Sequence, residues 1–577
     1  MSSSSQSPPE PAKGRAIIWL TVLGAYVNAA AYGFEFFSVS DQNVLLPMMN
    51  SLRDPSLYPG AIRGGSTPFL TVFWWVVAKL SNYFPTEQIL FVAFLLTKLI
   101  FFYALARLVL AAVKSRPLAA CMVTVIALSP LLNTTTPFGG SRVLTPFQTH
   151  FALGFSLLVL SGVLLTEGRL WPAVILASVG VYIDALVFLF TLFAFAAFAL
   201  ADWKQNKRRV CGAGLLGIAC TTPWLVLTRH AIQGQFPSDY LQALFMYYPF
   251  HYTLRWTPAS DLIKGTAILL AAVWIALLAR RAGLPSRRRL EILTASYLIP
   301  LALGIFFGAF YLNPTMIRLH LLRSDSFLLP YAFLLIQVYG ANLLTSAEAQ
   351  FRATTLLLGT SALLFPLSVR FGGIALLVCL LLKTNPRAHF DRWSSKIGGH
   401  AIDWFSRIGK ANVATALCGA AALIAFLMVI PRAAQLWDFV KPPSPEEEAC
   451  LDMQLWMKSH TPVQVRFLVP TVGCGFRSFS ERLTWGEWTD GNVMIAYPPF
   501  ADVFLQRMAA LGLYPGHPWE IARLKANYRG QSWERVLTIA RENHLEYIIQ
   551  FRDVSYAARP VYENREFAVY RVPKASE

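Results

Sequence analysis

"SVSDQNVLLPMMNSLRDPSLYPG" (residues 38–60) follows directly on the first long apolar run of the chain, "AIIWLTVLGAYVNAAAYGF" (16–34). A connection between two membrane helices needs only a few residues. This one is long and acidic, with Asp41 and Asp54, and ends on Pro-Gly turn chemistry. It also carries Leu45, Leu46, Met48 and Met49, which need an apolar surface to lie against. How the segment is read decides whether the chain is a bare helical bundle or a bundle with a site built on one membrane face.

Composition sets the class. The 577 residues are 55% hydrophobic and only 14% charged, with a mean hydropathy of +0.47. Soluble domains run nearer a quarter charged, so this is a membrane composition. Runs of ~17–25 apolar residues recur along the chain, each long enough to cross a ~30 Å hydrocarbon core. The formal charge of +18 does not point to nucleic acid, because the cations fall between the apolar runs, where the positive-inside rule places them.

Charge then sets the topology. Lys13 and Arg15 put the start of the first span inside and Phe36 onward outside. The segment "TPFLTVFWWVVAKLSNYF" (67–84) is expected to lie in the outer interface rather than cross, since the next run (86–113) then delivers Lys114 and Arg116 inside. Further spans are expected at 117–133, 148–166, 170–186, 187–201, 210–228, 261–279, 290–312, 325–345, 353–369, 371–383 and 412–431. The total is about thirteen crossings. The clusters "KQNKRR" (204–209), "RRAGLPSRRR" (280–289) and "KTNPRAHFDRWSSKIGGHAIDWFSRIGK" (383–410) then all land inside.

The expected organisation is a Ser/Pro-rich disordered cytoplasmic tail (1–15), a transmembrane region (16–431) with an outer loop at 35–85, and an outer domain at 432–577. The fold class is mainly α, a polytopic helical membrane protein with a small C-terminal α/β domain. In that domain Ser444-Pro445 followed by three glutamates reads as a capped helix start. "VQVRFLVP" (463–470) and "LEYIIQF" (545–551) read as strands, "PFADVFLQRMAALG" and "SWERVLTIARENH" as helices, and "VYENREFAVYRV" as a hairpin turning at Asn564-Arg565. Cys450 and Cys474, the two cysteines of this domain, are a candidate disulfide; the other five sit in or beside apolar spans as core filler. No Cys or His array has metal-ligand spacing, and no cofactor is expected.

Ionisable residues gather where this topology meets the outer surface: Asp41, Asp54, Arg142, His150, Asp184, His251, Arg255, Arg318, His320, Arg323 and Asp325 among them. Charge at a membrane boundary is costly unless it faces a cavity or a partner. Carboxylates deprotonate hydroxyls, and arginine grips phosphate with two parallel hydrogen bonds, so the mixture suits a reaction on a lipid-linked phosphate. Each residue also has a structural reading: Asp54 in "RDPSLYPG" as a turn residue, Asp184 in "GVYIDALVF" as a helix cap or ion-pair partner, and the histidines as packing groups.

The pieces "FFSVSDQNVLLPMMNSLRDPSLYPG", "STPFLTVFWWVVAKLSNYF" and "QILFVAFLLTKLIFFYALARLVLAAVKSR", in this order, resemble the integral-membrane glycosyltransferases of the GT-C superfamily. "DPSLYPG" (54–60), "HLLRSDSF" (320–327), "GFRSFSER" (475–482) and "YENREFAVYR" (562–571) are similar to stretches of a bacterial family of GT-C-like proteins. The resemblance implies transfer of a sugar from a polyprenyl-phosphate donor to an envelope acceptor on the outer face of a bacterial inner membrane. It makes Asp41 the candidate general base and Arg323, with His320, the candidate clamp on the donor phosphate. Arg255, Asp54 and Asp184 are further candidates for substrate binding. Two other readings stand beside this: a transporter or lipid flippase, which would place polar groups at mid-span, and a non-catalytic membrane protein whose outer domain binds a ligand.

Overall fold

A computed structural model of the chain describes residues 10–36, 42–58, 71–232, 235–281, 287–345, 353–369, 440–515 and 520–573, with residues 284 and 373. Among these, six helices are long and apolar enough to cross a membrane: Lys13–Tyr32, Thr86–Ala112, Ala185–Thr228, Ala259–Arg281, Arg288–Phe310 and Pro314–Thr345. Arg116–Ala127, His150–Thr166 and Leu170–Ile183 are shorter apolar helices packed among them. The expected spans 371–383 and 412–431, the cation cluster between them and residues 1–9 of the expected tail lie outside the described residues. The first helix begins at Glu10, inside that tail.

Three expected spans have a different form. The run 117–133 is a 12-residue helix that stops where Pro130 removes a backbone donor and Ser129 turns extended, so it is too short to cross by itself. The runs 187–201 and 210–228 belong to one continuous helical stretch, Ala185–Ile232, in which Asn206 leaves helical geometry (φ −136°, ψ 34°). Arg209 donates to the Gly168 carbonyl at 3.2 Å, while the Tyr182 hydroxyl reaches the Cys220 carbonyl at 2.8 Å. The part after Asn206 therefore runs beside Leu170–Ile183 in the same direction, and the part before it returns the opposite way.

The basic loops collect at one end of the bundle. Arg287 donates to the Ala112 carbonyl at 2.5 Å, Arg289 to Leu165 at 3.0 Å, and Arg289 pairs with Asp202 at 3.0 Å. At the opposite end Phe34 and Val440 form a parallel bridge, with Lys441 N–H donating to the Phe34 carbonyl at 2.7 Å and Lys441 paired to Glu35 at 2.7 Å. The C-terminal unit thus leaves the bundle at the end away from the arginine clusters. Beside it lies Val72–Leu80, whose nine residues rise only about 14 Å, less than half a bilayer core. Phe73, Trp74, Val77 and Ala78 pack inward while Val72, Trp75, Val76 and Leu80 stay exposed.

The C-terminal unit carries a five-stranded sheet in the order β2-β1-β3-β5-β4, with β1 at Arg466–Leu468, β2 at Leu483–Trp485, β3 at Tyr547–Phe551, β4 at Tyr562–Glu563 and β5 at Phe567–Arg571. β1 is parallel to β2 and β3; β5 is antiparallel to β3 and β4. Ser444 accepts from Glu447 N–H while Glu447 reaches back to Ser444 N–H, the reciprocal cap that starts the Pro445–His460 helix. Strand β2 and the helix Ile521–Arg529 are not among the elements expected from sequence. The sheet core continues into Tyr240, Leu244 and Tyr252 of the bundle side, so the two parts are packed together.

Cys450 and Cys474 are bonded, with Cα atoms 5.5 Å apart. The bond ties the capped helix to the Pro470–Gly475 loop across 24 residues of sequence. Replacing both with serine is expected to cost about 2–4 kcal/mol through the freed chain entropy of the unfolded state. The loss would be read as a lower melting midpoint; an unchanged midpoint would show that the loop is held by packing alone.

Candidate functional site

The site grows from a turn, "TTTPFGGSR" (134–142), that folds back into the bundle. Thr136 N–H donates to the Ser141 carbonyl at 2.6 Å, and Gly140 takes φ +59°, which a side chain rarely tolerates. Buried Asp325, at the start of the helix Asp325–Thr345, fixes the turn: its carboxylate accepts from Thr136 Oγ1 at 2.9 Å, Phe138 N–H at 2.8 Å and Gly139 N–H at 2.7 Å. A Cβ on Gly139 would stand 2.5 Å from the Leu322 carbonyl oxygen, so only glycine permits this approach. The consequence is that Ser141 lies against the "HLLRSD" segment.

Arg323 is the centre of the arrangement. Its Nε donates to Ser141 Oγ at 2.7 Å, and its guanidinium lies 4.5 Å from the centre of the Phe151 ring. Both partners are uncharged, and the one carboxylate next to it in sequence, Asp325, already accepts three hydrogen bonds. His320 adopts left-handed backbone geometry (φ 51°) and is buried, its ring 4.8 Å from Tyr252 and 5.8 Å from His251. Among the described residues neither ring nitrogen of His320 has a hydrogen-bond partner.

His251 Nδ1 lies 2.5 Å from the Gly139 carbonyl, so it must carry the proton. Burial first, then the Arg323 charge, hold the imidazole down at about 3 against the pull of that carbonyl, so it is neutral near pH 7 and its Nε2 keeps a lone pair. His150 has the other tautomer. Trp74 Nε1–H donates to its Nδ1 at 3.1 Å, which puts the ring proton of the neutral form on Nε2, 3.8 Å from Asp184 Oδ2. The other Asp184 oxygen caps the helix that follows, accepting from Leu186 and Val187 N–H at 3.0 and 3.1 Å.

Two cavities meet at Arg323. The lower, about 930 Å³, runs between Leu170–Ile183 and the two parts of the Ala185–Ile232 stretch. It is apolar along its length, from Leu170 to Val181 about 16 Å of helix. His150, Asp184, Arg318, His320 and Arg323 stand in its lining as the polar groups with acid–base or cationic character. The upper, about 580 Å³, opens between the bundle and the C-terminal unit, with Asn43, Ser141, Arg142, Tyr248, Thr471 and Trp488 in its wall. Arg323, Phe151, Asn492 and Ile495 line both.

The sequence candidates divide accordingly. Arg323, His320 and Asp184 come together around the lower cavity. Arg255 is exposed, with its guanidinium 5.5 Å from the Trp256 ring centre, and lines neither cavity. Asp54 is exposed and accepts from the Ser56 hydroxyl and N–H at 2.7 and 2.9 Å, bonds that hold its carboxyl below the usual range. Asp41 lies outside the described residues. The helix that follows it, Gln42–Arg53, sends Asn43 to the upper cavity and Val44 and Leu45 to the lower. That helix and the turn after it are fastened to the C-terminal unit: Asn50 donates to the Ser478 carbonyl at 3.1 Å, Tyr58 OH to the Arg477 carbonyl at 2.7 Å, and Arg53 pairs with Glu481 at 2.8 Å.

"GFRSFSER" is therefore an anchoring segment. Arg477 pairs with Asp490, and Arg482 caps the carbonyls of Lys458 and Thr461 at 2.6 and 2.5 Å. Trp485 and Trp488 are core groups, the second donating to the Tyr247 carbonyl at 3.0 Å. Sequence reasoning named Arg142 but passed over the preceding "TPFGGS" (136–141) as a site element; its signal was Pro-Phe-Gly-Gly, turn chemistry set between two apolar runs.

No protein-family model matches the chain, and no curated protein matches it. Among solved structures it is similar to ArnT from Cupriavidus metallidurans bound to undecaprenyl phosphate, at 11% identity and TM-score 0.45 over 98% of this chain and 99% of that one. The same protein in the apo state gives 11% identity and TM-score 0.44 over the same shares of the two chains. The archaeal oligosaccharyltransferase AglB from Archaeoglobus fulgidus, in complex with an inhibitory peptide and a dolichol-phosphate, gives 13% identity and TM-score 0.40 over 93% of this chain and 69% of that one. Likeness at this level leaves the function to be read from the chain's own residues.

Proposed function

We propose that the chain is a GT-C-type membrane glycosyltransferase, moving a sugar from a polyprenyl-phosphate donor to an envelope acceptor on the outer face of a bacterial inner membrane. The observation that carries this reading is the position of Arg323, a guanidinium with uncharged partners where a long apolar cavity meets a polar chamber. An isoprenoid chain fits the lower cavity, and its phosphate then comes level with Arg323 and Arg318. The gathering of basic loops at the far end of the bundle supports an outward-facing chamber.

In this reading Asp41 takes the proton from an acceptor hydroxyl as that oxygen attacks the anomeric carbon. The bond from that carbon to the phosphate oxygen breaks, and polyprenyl phosphate leaves with its charge held by arginine. The first residues of the helix that follows Asp41 in sequence, Gln42–Arg53, wall both cavities, which supports this choice of base.

The test is incubation of the purified protein with a panel of radiolabelled polyprenyl-phosphate sugars and membrane extract as acceptor. The native protein is expected to transfer label, and Asp41→Asn to lose about 10²–10⁴ of the rate, the usual contribution of a general base. Silence from the native protein across the panel would reject the transferase; equal rates would reject Asp41 as the base.

A further inference from the structure

We infer that the upper chamber is an acceptor site for carbohydrate, read by Asn43 and Thr471; this rests on the transferase reading above and names the acceptor class it leaves open. Asn43 and Thr471 are 5% and 2% exposed, and both line the chamber. Among the described residues neither Asn43 Nδ2 nor Thr471 Oγ1 has a hydrogen-bond partner. A buried donor left unpaired costs about 1–3 kcal/mol, so a chain that keeps two on one cavity wall gains when a ligand supplies acceptors.

Charge is the second constraint. Four carboxylates border the chamber, and each is already engaged: Glu35 by Lys441, Glu446 by Lys525, Glu487 by Thr484 and Thr489, and Glu447 by the Ser444 N–H. Of the cations on the wall, Lys525 is paired with Glu446 and Arg323 stands at the junction with the lower cavity, with Arg142 as the third. The rest of the wall offers uncharged donors beside the half-buried Tyr248 ring, the pairing of flat apolar face and hydrogen-bond groups that suits a sugar. A peptide bound by strand addition would need a sheet edge at the chamber. No residue of either edge strand, β2 or β4, lines the chamber. The volume, about 580 Å³, lies within the roughly 300–1,000 Å³ typical of small-ligand sites.

Thr471 belongs to the loop closed by the Cys450–Cys474 bond, and its carbonyl accepts from Trp488 N–H at 2.7 Å, so its backbone is fixed independently of its hydroxyl. Gly475 of the same loop takes φ +58°, and a Cβ there would meet the Asn43 carboxamide. Both donors are thus held by the one loop.

The experiment measures binding to the full chain in detergent without any donor, using neutral tetrasaccharides of hexose and of N-acetylhexosamine, with a neutral hexapeptide as comparator. At least one tetrasaccharide is expected to bind saturably. Thr471→Val and Asn43→Leu are each expected to weaken it about five- to ten-fold, one hydrogen bond's worth, while the melting midpoint of the empty protein stays level or rises. A purely structural role would lower that midpoint. Binding of the peptide alone, of neither probe, or with unchanged affinity in both variants overturns the inference. Glycan binding without transfer from any polyprenyl-phosphate sugar would overturn the transferase and leave this inference standing; transfer to peptide or lipid acceptors alone would do the reverse.

Discussion

Arg323→Ala is expected to lower transfer from a polyprenyl-phosphate sugar by about a hundred-fold or more, the effect of removing one preorganised group from developing charge. Its direct contacts are the Ser141 hydroxyl and the Phe151 face, and the nearby buried carboxylate, Asp325, keeps its three hydrogen bonds when the charge is removed. The loss in stability should be small, on the order of 1–2 kcal/mol for one hydrogen bond and one cation–ring contact. Arg323→Lys keeps the charge and gives up the planar fork, so it should recover part of the rate. Turnover and melting midpoint measured on the same preparations separate the two contributions. Normal turnover in Arg323→Ala would remove the phosphate clamp and, with it, the main support for the donor.

Asp325→Ala is expected to act in the opposite order, on structure first. Its carboxylate holds three donors of the 136–139 turn, and deletion leaves two backbone N–H groups and a hydroxyl buried without a partner. At about 1–3 kcal/mol per stranded group the cost should reach at least 3 kcal/mol. The melting midpoint should fall sharply, and whatever protein remains folded should transfer poorly, because Ser141 no longer orients Arg323. Asp325→Asn should lose less, since its carbonyl oxygen still accepts from Phe138 and Gly139 N–H while its NH₂ faces the Thr136 hydroxyl, which can accept. A midpoint within one degree of native for both variants would show that the turn is held by packing against Leu322 and Phe250 instead.

Parts of the site were legible in the sequence because they obey local rules. Arg323 and His320 stood out as charge at a membrane boundary, and Asp184 as a candidate cap, which it is. Arg255 and Asp54 carried the same signal, yet one lies exposed beside its own neighbour Trp256 and the other closes a turn with Ser56. Nothing within a few residues separates these two outcomes, since both sets are polar groups beside apolar runs. What separates them is which surfaces face each other after folding. The turn at 136–142 shows the limit most plainly. Its Gly-Gly reads as a turn, but the carboxylate that fixes it is Asp325, more than 180 positions away.

The amino-acid sequence by itself determined the membrane class, most of the apolar helices, the one around Trp74 and Trp75 included, the capped start at Ser444 and the closing hairpin. Span length, helical and strand periodicity, and capping chemistry act over stretches of about twenty residues or fewer. Tertiary structure alone decided that Arg323 stands where two cavities join, that Asn43 and Thr471 share one wall, and that the GFRSFSER segment anchors the helix after Asp41. These are meetings of residues hundreds of positions apart, set by how helices and sheet pack, and packing energy is spread over many weak contacts that no short stretch contains.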